Sequence, residues 1–134
     1  MIRTAYGFEL DAVVCIETTD PYSPKCMRSS MGTAIQLPVI ESNWTKLMPF
    51  ILERNLKVFA AVLDETAVPY YNVDFKGPCL IVIGSEANGV SKEVFSLPNL
   101  VKVYIPMGKR LELSLNAAIA GAIILSEAVK QRVS

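Results

Sequence analysis

At 134 residues the chain is long enough for one domain with a true core and too short for two. About half of it is apolar, yet no uninterrupted apolar run reaches the length of a membrane span, and no basic start with a cleavable apolar segment opens it, so a cytoplasmic address is expected. Thirteen basic residues balance thirteen acidic ones, which argues against a generic nucleic-acid coat while leaving room for a local basic patch. The lack of any histidine removes His-based triads and a His general base, and it argues against a zinc site. Cys15, Cys26 and Cys79 are odd in number and lack metal-type spacing. Cys15 and Cys79 lie in apolar runs and read as buried small hydrophobes. Asn43-Trp44-Thr45 has the form of a glycosylation sequon, which carries no weight in a cytosolic protein.

In chain order, residues 1–7 read as the tail of a helix stopped by Gly7, so that a further segment is expected upstream. Ala12 to Glu17 is an apolar, β-branched run and predicts a strand. Thr18 to Pro24 reads as loop, and Lys25 to Gly32 as one or two helical turns. Ile35 to Val39 predicts a short strand ending at Pro38. Trp44 to Arg54 has helical spacing at Leu47, Phe50, Ile51 and Arg54. Lys57 to Leu63 predicts a buried strand, Asp64 to Pro78 a long polar and aromatic connection, and Cys79 to Ile83 the clearest strand of all. After Gly84-Ser85-Glu86-Ala87-Asn88-Gly89 comes a short helix from Ser91 to Phe95, then a strand over Val101 to Ile105. A last helix opens at Ser114, its N-cap, and runs to Lys130 with an apolar stripe of Leu115, Ala118, Ile119, Ala122, Leu125 and Val129. Its small residues invite close approach by another backbone, a second subunit among the alternatives. Strands alternating with helices predict an α/β fold with a largely parallel sheet in a single domain.

Three groups of residues could carry chemistry. Gly84 at a strand's carboxyl end lets a ligand approach the backbone, but Glu86 stands where a dinucleotide fingerprint needs glycine and there is no Gly-Lys-Ser/Thr of a P-loop. A carboxylate there favours a cationic or neutral ligand over a pyrophosphate; the bland alternative is a turn. Ser114 and Asn116 are either a helix cap with a first-turn polar residue, or part of a cleft shared with Gly84 if strands 79–83 and 101–105 are neighbours. Arg3, Lys25, Arg28, Lys109 and Arg110 are scattered surface cations or, if clustered, a phosphate-holding patch.

With these residues in view, Leu80-Ile81-Val82-Ile83-Gly84-Ser85-Glu86-Ala87-Asn88-Gly89-Val90-Ser91 resembles the second motif of the SpoU/TrmH family of RNA ribose 2′-O-methyltransferases. Ile105-Pro106-Met107 with Ser114-Leu115-Asn116-Ala117-Ala118-Ile119-Ala120 resembles the third motif. Ile2-Arg3-Thr4-Ala5-Tyr6-Gly7 resembles the end of the first, and Ser29-Ser30-Met31-Gly32 the small-residue segment that follows it. The resemblance implies an α/β SPOUT fold, a mostly parallel sheet flanked by helices with a carboxyl-terminal deep trefoil knot, against the usual rule that chains do not knot. It implies a homodimer, S-adenosylmethionine as cofactor, structured RNA (rRNA or tRNA) as substrate, and no metal or membrane partner.

Carried over position by position, the resemblance assigns Leu63, Ile83, Gly84, Ser85, Glu86, Gly89, Ile105, Met107, Ser114 and Leu115 to the cofactor. Arg3, Glu86, Ser114 and Asn116 become catalytic, and Arg3, Lys25, Arg28, Lys109 and Arg110 contact RNA. Methyl transfer from a sulfonium to a ribose hydroxyl is an in-line displacement that needs orientation and loss of the 2′ proton. Arginine, with a pKa above about 12, is a poor base in water. The resemblance offers an RNA phosphate that assists Arg3; stabilisation of the developing alkoxide by a fixed cation is an equal alternative. The asparagine that opens the family's first motif would fall before Met1, and the loop from Met107 to Ser114 is longer than usual, with Lys109-Arg110 in place of a smaller segment. An amino-terminally truncated catalytic domain is therefore expected. The rivals are a catalytically impaired cofactor-binding or dimerisation fragment of the same fold, and a flavodoxin-like nucleotide-binding domain.

Overall fold

A computed structural model describes residues 7, 10–16, 39–84, 90, 92–108 and 117–133. The chain divides into two compact units, Met1–Arg54 and Asn55–Ser134.

In the first unit, strands β1 (Val13–Ile16) and β2 (Val39–Ser42) pair in parallel, from Val13 against Val39 to Ile16 against Ser42. β1 lies where the apolar run predicts it. Among the described residues β2 runs on from Val39 to Ser42, past the expected end at Pro38, and residues 35–38 of the predicted strand lie outside the described set. Helix α1 (Trp44–Glu53) matches its predicted span. The Asn43 side chain caps it, accepting from the Lys46 N–H at 3.0 Å, which gives the sequon-like asparagine a structural task. Of the predicted stripe, Ile51 is buried but Phe50 faces outward, with the Arg54 guanidinium 4.6 Å from its ring centroid. Gly7, expected to stop a helix, is itself helical.

The second unit holds β3 (Lys57–Ala61), β4 (Val68–Pro69), β5 (Cys79–Val82) and β6 (Leu100–Tyr104), all parallel, in the order β4-β6-β3-β5. β4 escaped the sequence reading because two residues carry no alternation; it pairs with β6 through Val68–Val103 and Pro69–Tyr104. Single 3-10 turns follow at Tyr70–Asn72 and, in place of the expected helix over 91–95, at Lys92–Ser96. Strands 79–82 and 100–104 are not neighbours: β3 lies between them.

Helix α2 (Ala117–Val133) covers one sheet face. Ile124 and Ala128 join Phe59, Phe75 and Val103 in a buried cluster, and the Phe59 and Phe75 rings tilt against each other at 4.6 Å between centroids. The buried positions of α2 are Gly121, Ile124, Leu125 and Ala128, whereas Ala118 and Ile119 of the predicted stripe are exposed, Ile119 by 53%. A helix apolar nearly all round does not announce its inward face, so the spacing alone selected a stripe about one residue off. Ser114 to Asn116, with the expected cap, lie outside the described residues.

The last turn of α2 is stitched to the segment that feeds β5. Gln131 Oε1 accepts from the Phe75 N–H at 2.8 Å, and its Nε2 donates to the Val73 carbonyl at 2.9 Å. Arg132 donates to the carbonyls of Phe75 and Gly77 at 3.0 and 2.8 Å. Cys79 is half-buried rather than buried; burial pushes its thiol above the ordinary range, which fits an inert filler. Because Phe75 is fully buried, Gln131→Leu strands its N–H without a partner. Urea unfolding should show a loss of about 1–3 kcal/mol for that change, against about 1 kcal/mol for removing the exposed cap with Asn43→Ala; equal stability of Gln131→Leu and wild type would refute the stitch.

Candidate functional site

Because β3, β5 and β6 run in parallel, their carboxyl ends open on one edge of the sheet. Ala60 faces Val82 on one side and Lys102 on the other, and Ala61 faces Val103. Counting on from these pairs sets Ile83 level with Ala61 and Val103, and Leu63 level with Ile105. With strands about 4.8 Å apart, the ends of β5 and β6 stand about 10 Å apart with the end of β3 between them. That span suits a flat heterocycle laid across three strand ends, the usual place for a ligand in such sheets.

The residues on this edge divide their labour. Ile83 and Ile105 pack their side chains against the Phe59 cluster. Gly84 adds a strand end with no side chain at all, where a ligand can come close. Leu63 and Met107 are the apolar surface of the edge, exposed by 72% and 46%. Large apolar side chains displayed beside strand ends favour a ligand with an apolar face.

The loop after β3 is tied down on both sides of Leu63. The Val62 N–H donates to the Val103 carbonyl at 2.9 Å, extending the β3–β6 ladder. Asp64 Oδ1 accepts from the Thr66 N–H at 2.8 Å and the Thr66 hydroxyl at 2.9 Å, while its Oδ2 meets Lys102 Nζ at 2.9 Å. The Thr66 amide above all, then Lys102 and the Thr66 hydroxyl, lower the Asp64 carboxyl from 3.8 to about 2. Sequence reading passed over both members of this pair. The available signals were an Asp-x-Thr turn directly after a strand and a lone lysine within the apolar run 101–105.

Of the residues expected to hold a cofactor, Leu63, Ile83, Gly84, Ile105 and Met107 are described and follow the carboxyl ends of β3, β5 and β6 within three residues. Ser85, Glu86, Gly89, Ser114 and Leu115 lie outside the described residues, as do Arg3 and Asn116 and the cations Lys25, Arg28, Lys109 and Arg110. Among the described residues no group of three His, Cys, Asp or Glu side chains could hold a metal, and no helix is long and apolar enough to cross a membrane.

A parallel four-stranded sheet with a helix on one face defines an α/β domain, a class whose ligands usually sit at the carboxyl ends of the strands. Residues 1–126 match the SpoU rRNA Methylase family. The chain is 32% identical over 126 residues to the 23S rRNA (guanosine(2553)-2'-O)-methyltransferase RlmP of Bacillus subtilis, covering 93% of this chain and 50% of that one. It is similar to the solved SpoU methyltransferase AviRb of Streptomyces viridochromogenes in complex with AdoMet, at 30% identity and a TM-score of 0.88 over 98% of this chain and 54% of that one. It is also similar to the AdoMet-bound rRNA methyltransferase of Sinorhizobium meliloti, at 31% identity and a TM-score of 0.87 over 99% of this chain and 51% of that one. The chain belongs to the SpoU rRNA Methylase family. Its fold is therefore that of mostly parallel sheets flanked by helices found in these methyltransferases, and the flavodoxin-like alternative falls away. The chain spans about half the length of the curated relatives it matches.

Asp64 binds its proton less readily folded than unfolded, so its interactions add stability above about pH 4 and lose it as pH falls toward 2. Because the carboxylate is exposed and its pair is screened by water, Asp64→Asn should unfold only slightly more easily than wild type at about pH 5, with that small gap closing between about pH 4 and pH 2 in parallel urea titrations. A gap unchanged down to pH 2 would contradict the assignment.

Proposed function

We propose that this chain is the catalytic part of an S-adenosylmethionine-dependent methyltransferase that modifies a ribose 2′-hydroxyl of structured rRNA or tRNA. The observation that carries the reading is that Leu63, Ile83, Gly84, Ile105 and Met107 all follow the carboxyl ends of three adjacent parallel strands, in a family with AdoMet-bound structures that superpose on nearly all of the chain. The edge fits the group: exposed Leu63 and Met107 suit an adenine face, and the ends of β5 and β6 leave backbone donors and acceptors for its polar rim. When bound, the cofactor supplies a methyl on a sulfonium, a leaving group that needs no metal or proton to depart.

The protein's work is orientation and charge. We assign the backbone around Gly84, Ile105 and Leu115 to the adenosine part, with Leu63, Ile83, Ser85, Gly89 and Met107 completing the pocket. Ser114 and Asn116 align the ribose hydroxyl and the donor for in-line attack. Arg3 holds a fixed positive charge beside the 2′-oxygen as its proton leaves, either as a cation for the alkoxide or through a nearby RNA phosphate. Glu86 orients Arg3 and Asn116 and offsets charge in the pocket. Lys25, Arg28, Lys109 and Arg110 contact the RNA backbone, a local basic patch in a chain of zero net charge.

Two architectural features complete the proposal. A carboxyl-terminal trefoil knot is supported by the placement of β6, the last strand, between the earlier β3 and β4. A homodimer is supported by the outward face of α2, where Ala118 and Ile119 are exposed beside Ala122 and Ile123. A cytoplasmic setting for the reaction is part of the same proposal.

Calorimetric titration with S-adenosylmethionine followed by a ribose-methylation assay tests the function. Binding with turnover supports it; binding without turnover favours an impaired fragment of the same fold; no binding refutes it. Arg3→Ala should lower single-turnover methylation by about 10²-fold or more while donor affinity holds, and intact methylation would withdraw the role given to Arg3. Ile119→Glu should convert a dimer into a monomer in light scattering, because a carboxylate cannot be buried unpaired in an apolar contact.

A further inference from the structure

Leu63 stands out on the carboxyl edge because nothing on its own side chain holds it there. It is exposed by 72%, so burial does not fix its place. Its position must come from its neighbours in the chain, and both of those are fastened to β6. Val62 is bound through its N–H to the Val103 carbonyl, and Asp64 through its carboxylate to the ammonium of Lys102. Lys102 gathers further contacts: Thr66 Oγ1 at 3.2 Å, and the ring of Phe95 with its centroid at 5.3 Å. One cation thus ties the loop after β3 to the 3-10 turn that precedes β6.

We propose that Lys102 and Asp64 are positioning residues for the methyl donor: their ion pair, with Thr66, pins the loop after β3 so that Leu63 is presented at the carboxyl edge before the donor arrives. This rests on the reading of that edge as the donor site. Neither side chain needs to touch the donor. A half-exposed pair of this kind (27% and 35%) contributes little to global stability, and its effect is local. Once released, the loop samples other conformations, and the apparent dissociation constant rises by the inverse of the fraction that remains competent.

The test is donor titration and steady-state kinetics on the wild-type chain, Lys102→Met, Asp64→Asn, the double variant and Lys102→Arg. Each single change is expected to weaken S-adenosylmethionine binding by about two- to five-fold, raising KM for the donor more than it lowers kcat. The double variant should be no weaker than either single one, since both remove the same tie. Lys102→Arg keeps the charge and should restore affinity, a rescue that mere loosening of the fold would not give. Unchanged donor affinity in both single variants, or losses that add in the double one, would overturn the inference while leaving the donor site intact. A wild-type chain that binds no donor would overturn the donor site itself and the inference with it.

Discussion

The second unit depends on parallel pairing with β3 in the middle. A parallel strand exposes its carboxyl end on the same side as its neighbours, so three strands in register deliver three chain ends to one edge without further instruction. β3 is the most deeply buried strand, with Val58, Phe59 and Ala60 essentially inaccessible, and the strands on either side take their register from it. Whatever the edge binds is therefore measured out by the hydrogen-bond ladder, which does not flex, and trimmed by the loops that leave it.

The rest of the unit keeps that ladder dry and in place. α2 closes one face with Ile124 and Ala128 over Phe59, Phe75 and Val103. Its Gln131 and Arg132 use side-chain groups to satisfy the backbone of residues 73–77, a segment with no ladder of its own. At the opposite, amino-terminal edge, Asn99 donates to the Asn55 side chain at 2.6 Å, joining the entrances of β3 and β6. Asn55 sits at a φ of 50°, a left-handed turn that asparagine tolerates where the chain leaves α1.

Much of this was legible in the residues. The runs at 57–63, 79–83 and 101–105 became strands because continuous β-branched sequence bounded by turns has few other fates in a parallel sheet. The strand order was not legible: period and composition describe a strand's faces and say nothing about its lateral neighbour, so β3 between β5 and β6 appeared only in the fold. The same limit applied to α2, where a nearly featureless apolar surface hid which side meets the sheet. β4 was invisible for lack of length. As for the site, Gly84 was already marked by its place at a strand's carboxyl end, while motif resemblance added Leu63 and Met107, which local physics alone would have left as the end of a strand and a turn residue. Lys102 and Asp64 went unnoticed because their pairing joins residues far apart in the chain and belongs to no motif.

The shortness of β4 has a consequence of its own. Its two residues end on Pro69, which offers no N–H, so the outer border of the sheet presents almost no template on which another extended chain could dock. Growth of the sheet sideways into a continuous intermolecular ribbon is closed off at that border.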